Sequence, residues 1–203
     1  MIAIIDYGVG NLFSLASSLR HLGLESAVTG DAAALAAADR LILPGVGVFA
    51  DAADKLRASG LDAVVQAQAA AGKPLLGICL GMQLLFEKSF EYGEHDGLGL
   101  IPGRVVPLAG AIPPALKVPQ IGWNRLDLVR PDDPLLRYTK ADDYVYYVHS
   151  YYAKDCAAST LATSEYGVPV TAAVRAGSVW GVQFHPEKSG DAGLRILRAF
   201  GEL

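Results

Sequence analysis

The segment Leu75-Leu76-Gly77-Ile78-Cys79-Leu80-Gly81-Met82-Gln83 constrains this chain most. Leu75 to Ile78 is a short apolar run that reads as a buried strand, and Leu80 to Glu87 reads as a helix. Cys79 therefore falls at a strand-to-helix turn, with glycines two residues before it and two after. A turn of this kind is tight and tolerates only small neighbours. It lifts the side chain at its apex above the edge of a sheet, the cysteine form of the nucleophile elbow. The helix beginning at Leu80 directs its positive end at the sulfur and favours the thiolate, the reactive form of a group whose ordinary pKa is about 8.5. A lone cysteine is most often a small buried hydrophobe. The paired glycines set Cys79 apart from that use, whereas Cys156 has no such context and reads as structural.

An elbow needs a sheet to stand on, and the first half of the chain supplies strand-helix alternation. Ile2 to Asp6 is a short apolar run, followed by a turn at Tyr7, Gly8 and Gly10. Leu12, Leu15, Ala16, Leu19 and Leu22 recur at helical spacing, and Gly23 is a natural stop. Ser26 to Thr29 and Arg40 to Leu43 read as strands, the latter ended by Pro44. A helical stretch covers Phe49 to Ala71, broken near Gly60. This alternation implies a parallel sheet with helices on both faces. The second half has β-branched and aromatic runs instead: Arg104 to Leu108, Asn124 to Val129, Tyr144 to Val148, Thr160 to Ser164, Thr171 to Ala176 and Val179 to Phe184. These read as strands, some in hairpins such as Arg175 to Ser178, before a last helix from Asp191 to Phe200. The expected class is α/β: a central, mostly parallel sheet flanked by helices, with extra antiparallel strands in the second half extending the same sheet.

At 203 residues, with 52% hydrophobic and 19% charged residues, residues 1–203 are expected to form a single domain. The net charge of −4 argues against a sequence-independent grip on nucleic acid. The Ala-rich stretch from Asp31 to Asp39 is too short to span a bilayer. Met1 to Asp6 reads as a core strand rather than a targeting segment, so a cytoplasmic setting is expected. Two cysteines make neither a disulfide framework nor a metal cluster, and no metal or cofactor is expected.

Two more segments complete a chemistry. In Gly181-Val182-Gln183-Phe184-His185-Pro186-Glu187, extended chain would place His185 and Glu187 on one side, with Pro186 stiffening the link. A thiol nucleophile needs a base, and the base needs an orienting group. His185 and Glu187 are of the right types, although a surface histidine beside a solvated carboxylate is the plainer reading of His-Pro-Glu alone. In Leu43-Pro44-Gly45-Val46-Gly47, glycines after a strand let backbone N–H groups approach a ligand. Gly45, Val46 and Gly47, with the N–H of Leu80, are candidate donors to a developing oxyanion. The loop lacks the lysine of a phosphate-binding loop.

The elbow, the His-Pro-Glu segment and the glycine loop together resemble the class I glutamine amidotransferases. Ile5-Asp6-Tyr7-Gly8-Val9-Gly10-Asn11, Pro44 to Phe49, Gly122-Trp123-Asn124, Tyr147 to Tyr152 and His185 to Ser189 extend the resemblance over nearly the whole chain. Gly-Trp-Asn and His-Ser-Tyr are similar to one branch of the family, whose members pass ammonia to a separate (β/α)8-barrel cyclase subunit in histidine biosynthesis. The resemblance implies a flavodoxin-like fold, a thioester of L-glutamine on Cys79, and no cofactor. It implies that Gly47, Gln83, Ser150 and Tyr151 hold the glutamine, and that Asn11, Trp123 and Lys188 face the cyclase. The chain departs from that branch at Pro119-Gln120-Ile121, where Pro-His-Met is usual.

The residues by themselves leave other uses open. Asn11 is a natural helix cap, Trp123 and Tyr144 to Tyr152 are ordinary sheet packing, and Lys188 is a solvated lysine. His149 is expected to make a structural hydrogen bond. The competing functions are a glutaminase serving pyridoxal phosphate, anthranilate or aminodeoxychorismate synthesis, a cysteine hydrolase of the protease or chaperone type, and a non-catalytic subunit. An ammonia-releasing site also predicts a partner, because ammonia released into water is protonated near neutral pH and is then no nucleophile.

Overall fold

The computed structural model describes residues 1–203. The first half runs β1 (Ile2–Ile5), α1 (Leu12–His21), β2 (Ser26–Thr29), α2 (Ala32–Ala37), β3 (Arg40–Leu43), α3 (Phe49–Ala58), α4 (Leu61–Ala70), β4 (Leu75–Ile78) and α5 (Leu80–Leu84). Then come β5 (Phe86–Ser89), β6 (His95–Asp96), β7 (Ile101–Pro107), β8 (Gln120–Arg125), β9 (Asp127–Leu128), β10 (Tyr144–His149) and β11 (Tyr151–Lys154). The chain closes with β12 (Thr160–Glu165), β13 (Pro169–Ala176), β14 (Val179–Val182) and α6 (Gly190–Gly201).

The main sheet has the order β2-β1-β3-β4-β14-β13-β12-β9. Pairing is parallel from β2 to β14 and antiparallel from β14 to β9. Strand alternation divides the core between its two faces. Ala3 and Ile5 of β1 pack with Leu35, Phe49, Leu56 and Val65, beneath α2, α3 and α4. Ile2 and Ile4 face the other way, onto Leu15 and Leu19 of α1 and Ile196, Leu197 and Phe200 of α6. The expected mostly parallel sheet with helices on both faces is therefore found.

Three expectations need correction. The helix beginning at Leu80 ends at Leu84 rather than Glu87. Its last carbonyls are claimed from outside: Leu98 N–H donates to Leu84 O, and Leu100 and Ile101 N–H donate to Leu85 O. Phe86 then starts a strand beside Ile101. The later strands do not all extend one sheet, because β11-β7-β5-β6 form a separate four-stranded sheet and β10-β8 a two-stranded ribbon. Asn124 to Val129 is not one strand: β8 ends at Arg125 and β9 begins at Asp127 in another sheet. The short helix α2, which starts where the Asp31 side chain accepts from Ala34 N–H, was not expected. No helix is long and apolar enough to cross a membrane.

Candidate active site

Cys79 stands between β4 and α5 with φ 55 and ψ −112, a left-handed backbone that a non-glycine residue rarely adopts. The flanking glycines show why the turn is possible. A Cβ on Gly77 would lie 2.7 Å from Met82 Cα, and one on Gly81 would lie 1.9 Å from Leu43 O. The elbow is thus pressed against the end of β3 and the loop that follows it. Gly45 closes the same contact from the other side, since its Cβ would meet Gly81 N at 2.7 Å. Helix α5 has only five residues, so the dipole behind the sulfur is shorter than a helix to Glu87 would give.

His185 and Glu187 come together, but not as alternating residues of a strand. β14 ends at Val182, and Pro186–Lys188 forms a single 3-10 turn with His185 at its N-cap. The turn curls the carboxylate back, so that His185 Nδ1 lies 2.8 Å from Glu187 Oε1, with both side chains nearly inaccessible. A carboxylate at Nδ1 places the proton there and turns Nε2 toward the cavity that Cys79 also lines. Nε2 is buried and stops short of a formed hydrogen bond. Burial disfavours the charged ring, but the Cys79 sulfur and the Glu187 carboxylate together outweigh it and raise the His185 pKa to about 9. The arrangement is that of an imidazolium held between a sulfur and a carboxylate, the charge pattern a thiol nucleophile needs.

The class-I glutamine amidotransferase family model matches residues 3–202. The chain belongs to the class I glutamine amidotransferase family. Among curated relatives, the "Imidazole glycerol phosphate synthase subunit HisH" of Lactiplantibacillus plantarum is 52% identical, over 100% of this chain and 96% of its own length. The protein of the same name from Methanothermobacter thermautotrophicus is 49% identical, over 100% of this chain and 98% of its own. A solved structure titled as a glutamine amidotransferase matches the fold with TM-score 0.77 at 21% identity, covering 99% of this chain and 97% of that one.

Of the expected binding residues of this amidotransferase, Val46, Gly47, Leu80, Gln83, Ser150 and Tyr151 line one cavity of about 290 Å³ together with Cys79 and His185. That is the size of a small-ligand site. Gly45 does not line it and sits instead in the neighbouring crevice. The N–H groups of Val46 and Gly47 make no hydrogen bond within the chain, and the N–H of Leu80 opens a helix and has no intrahelical acceptor. Gly47 has φ 99, in open space. Gln83 is committed to the protein as well as to the cavity, its Nε2 donating to Tyr151 O at 3.0 Å.

Tyr7 and Glu91 were not foreseen in the sequence as residues of the site. Tyr7 donates its hydroxyl to Pro44 O at 2.7 Å and so fixes the start of the glycine loop; burial raises its pKa strongly. Glu91 lines the cavity as a buried carboxylate and accepts from Phe49 N–H at 2.7 Å. Burial raises its pKa, partly offset by that N–H. The signal was a charge flanked by aromatics in Phe90-Glu91-Tyr92.

The three residues expected at the partner face are spread around this site. Asn11 occupies the N-cap of α1 without a side-chain capping bond, and shares a narrow crevice with Pro44, Gly45, His185 and Glu187. Lys188 is exposed directly after Glu187. Trp123 is 51% exposed on the β8-β10 ribbon, near Ile121 at 61% and Tyr144 at 53%, and it packs edge-on against Tyr146. His149 makes the structural hydrogen bond expected of it and also lines the cavity. Its Nδ1 donates to Tyr151 O at 2.8 Å, its Nε2 lies 2.8 Å from the Gln120 carboxamide, and burial holds its pKa down to about 4. Gln120, where the family branch usually has histidine, is fully buried and serves that ring.

Proposed function

We propose that this chain is the glutaminase subunit of an imidazole glycerol phosphate synthase, hydrolysing L-glutamine through a Cys79 thioester and passing the ammonia to a barrel-fold cyclase subunit in histidine biosynthesis. One observation carries the chemistry: the buried His185 ring, bracketed by Glu187 at 2.8 Å and by the Cys79 sulfur across the cavity. The relatives named as HisH support the pathway and the partner, and a cytoplasmic setting goes with them.

In this reading Glu91 takes the α-ammonium of glutamine, and Gly47, Gln83, Ser150 and Tyr151 wall the amino acid in. The Cys79 thiolate attacks the carboxamide carbon, and the carbonyl electron pair moves onto oxygen. That oxyanion faces the N–H groups of the Gly45–Val46–Gly47 loop and of Leu80. As it collapses, the C–N bond breaks and the nitrogen takes the proton of His185, leaving ammonia and a glutamyl thioester. His185 then accepts a proton from water as it attacks the thioester, glutamate departs, and the thiolate is restored. Glu187 keeps the ring oriented and its charge compensated throughout.

The partner reading has physical support of its own. Free ammonia is lost as a nucleophile once protonated, Asn11 lines the crevice that also holds His185 and Glu187, and Lys188 and Trp123 are exposed. An exposed aromatic ribbon with a tryptophan at its centre is the composition of an interface hot spot. The test is glutamate release by the chain with and without the barrel cyclase and its nucleotide ligand. Turnover that requires both, and disappears in Cys79→Ser, is expected. Equal turnover by the chain alone would overturn the coupling, and turnover in Cys79→Ser would overturn the nucleophile.

A further inference from the structure

Gln183 lies in the segment that carries the candidate base, two residues before His185, yet the chemistry above gives it no task. It is fully buried behind the sulfur, outside the cavity lining. Its Nε2 stands 3.8 Å from Cys79 Sγ, within reach of an N–H···S bond. Its Oε1 accepts from Gln83 Nε2 at 3.0 Å.

The direction of this chain of amides is fixed. The carbonyl of Tyr151 can only accept, so the group of Gln83 that lies 3.0 Å from it must be its NH2. The same nitrogen meets the Gln183 carboxamide, so Gln183 must present its oxygen there. Its NH2 is left facing the sulfur. A flipped Gln183 would set NH2 against NH2 on one side and oxygen against sulfur lone pairs on the other. The backbone holds the residue in place as well, since Gln183 N–H donates to Ala172 O at 2.9 Å. The fold thus aims a neutral donor at Cys79 from the side opposite the substrate, through two amides that end on the Tyr151 carbonyl.

We infer that Gln183 is a catalytic residue of the thiol step: its carboxamide N–H donates to the Cys79 thiolate, stabilising the charge and holding the sulfur toward the cavity. This rests on Cys79 being the nucleophile. A hydrogen bond to the charged form of a group favours that form, and a donor buried in low dielectric acts more strongly than one in water. His185 and Glu187 supply the proton inventory, and Gln183 supplies a donor that never leaves the sulfur during the cycle. Because it lies behind the sulfur, Gln183 acts on kcat and leaves KM for glutamine nearly unchanged.

The experiment is the pH dependence of Cys79 carbamidomethylation by iodoacetamide, read by peptide mass spectrometry in the full chain, with kcat and KM measured alongside in the complex with the cyclase. Gln183→Met keeps the length and removes the donor. Its midpoint for Cys79 is expected to rise by about one pH unit, and kcat to fall about tenfold, with KM within twofold. Gln183→Asn keeps an amide but draws it back from the sulfur, and is expected to raise the midpoint by a smaller amount. A Gln183→Met protein that unfolds at the wild-type temperature and keeps the wild-type midpoint overturns the inference. If that variant does not fold, Gln183→Asn decides: a midpoint at or below wild type overturns it. Failure of the underlying reading looks different, because glutaminase activity would then survive Cys79→Ser with Gln183 intact.

Discussion

The backbone N–H of His185 donates to the Tyr146 carbonyl at 3.0 Å, which hangs the candidate base directly from the exposed aromatic ribbon. β10 pairs with β8 along one edge and with the His185 turn along the other. Ser189 locks the second contact: its hydroxyl accepts from Tyr146 N–H at 2.9 Å and donates to His185 O at 2.6 Å. Removing that hydroxyl leaves a part-buried N–H without its acceptor. Ser189→Ala is expected to lose about 1–3 kcal/mol of stability and to lower kcat by loosening the His185 turn. Urea unfolding and glutamate release check this; unchanged values in both would show the clamp to be idle.

The two glycines that frame the site should respond differently to alanine. A Cβ on Gly81 would meet Leu43 O at 1.9 Å, backbone against backbone, so neither side can yield cheaply. Gly81→Ala is expected to cost about 3 kcal/mol or more, with loss of the elbow. Gly47 has open space and only its φ of 99 to protect. Gly47→Ala is expected to cost about 1–2 kcal/mol and to lower turnover by shifting the loop peptide. Thermal unfolding of the two proteins side by side separates them.

His185 makes stability depend on pH in a predictable direction. Its folded pKa is raised from 6.5 to about 9, burial opposing and the Cys79 sulfur and Glu187 carboxylate prevailing. The folded chain therefore keeps a proton that the unfolded chain releases first. That contribution is fully present below pH 6.5 and is lost as pH rises through about 9. Glu187→Gln removes one of the stabilising groups, moves His185 down and flattens the loss. Urea midpoints from about pH 6 to about pH 9.5 measure it; parallel curves for the two proteins would contradict the pairing.

Trp123 is half exposed, and its neighbours on the outer face of the ribbon include Ile121, Tyr144 and Tyr146. Trp123→Ala should leave the fold of the isolated chain intact. Affinity for the barrel cyclase is expected to fall by about 2 kcal/mol or more, as for a central aromatic of an interface. Titration calorimetry of the two subunits reads the change directly, and wild-type affinity would remove Trp123 from the interface.

The site was more legible in the sequence than the geometry that makes it. Cys79 was readable because an elbow demands glycine at 77 and 81, and both clashes bear that requirement out. The pairing of His185 with Glu187 was foreseen for the wrong reason, because a 3-10 turn rather than extended chain brings them together. The end of α5 was not legible, since Leu84 and Leu85 give their carbonyls to residues 98–101, a contact no local pattern encodes. Tyr7 and Glu91 were missed because each acts through one hydrogen bond to a distant segment. The division of the later strands into three sheets was hidden for the same reason: β-branched runs announce strands, not their neighbours.

During turnover the glutamyl group is expected on Cys79. Acid quench of the complex during turnover of glutamine, followed by peptide mass spectrometry, tests it most directly. A glutamyl adduct is expected on the peptide containing Cys79, absent from Cys79→Ser, which should also release no glutamate. Glutamate release by Cys79→Ser at the wild-type rate, or an adduct on Cys156 alone, would contradict it.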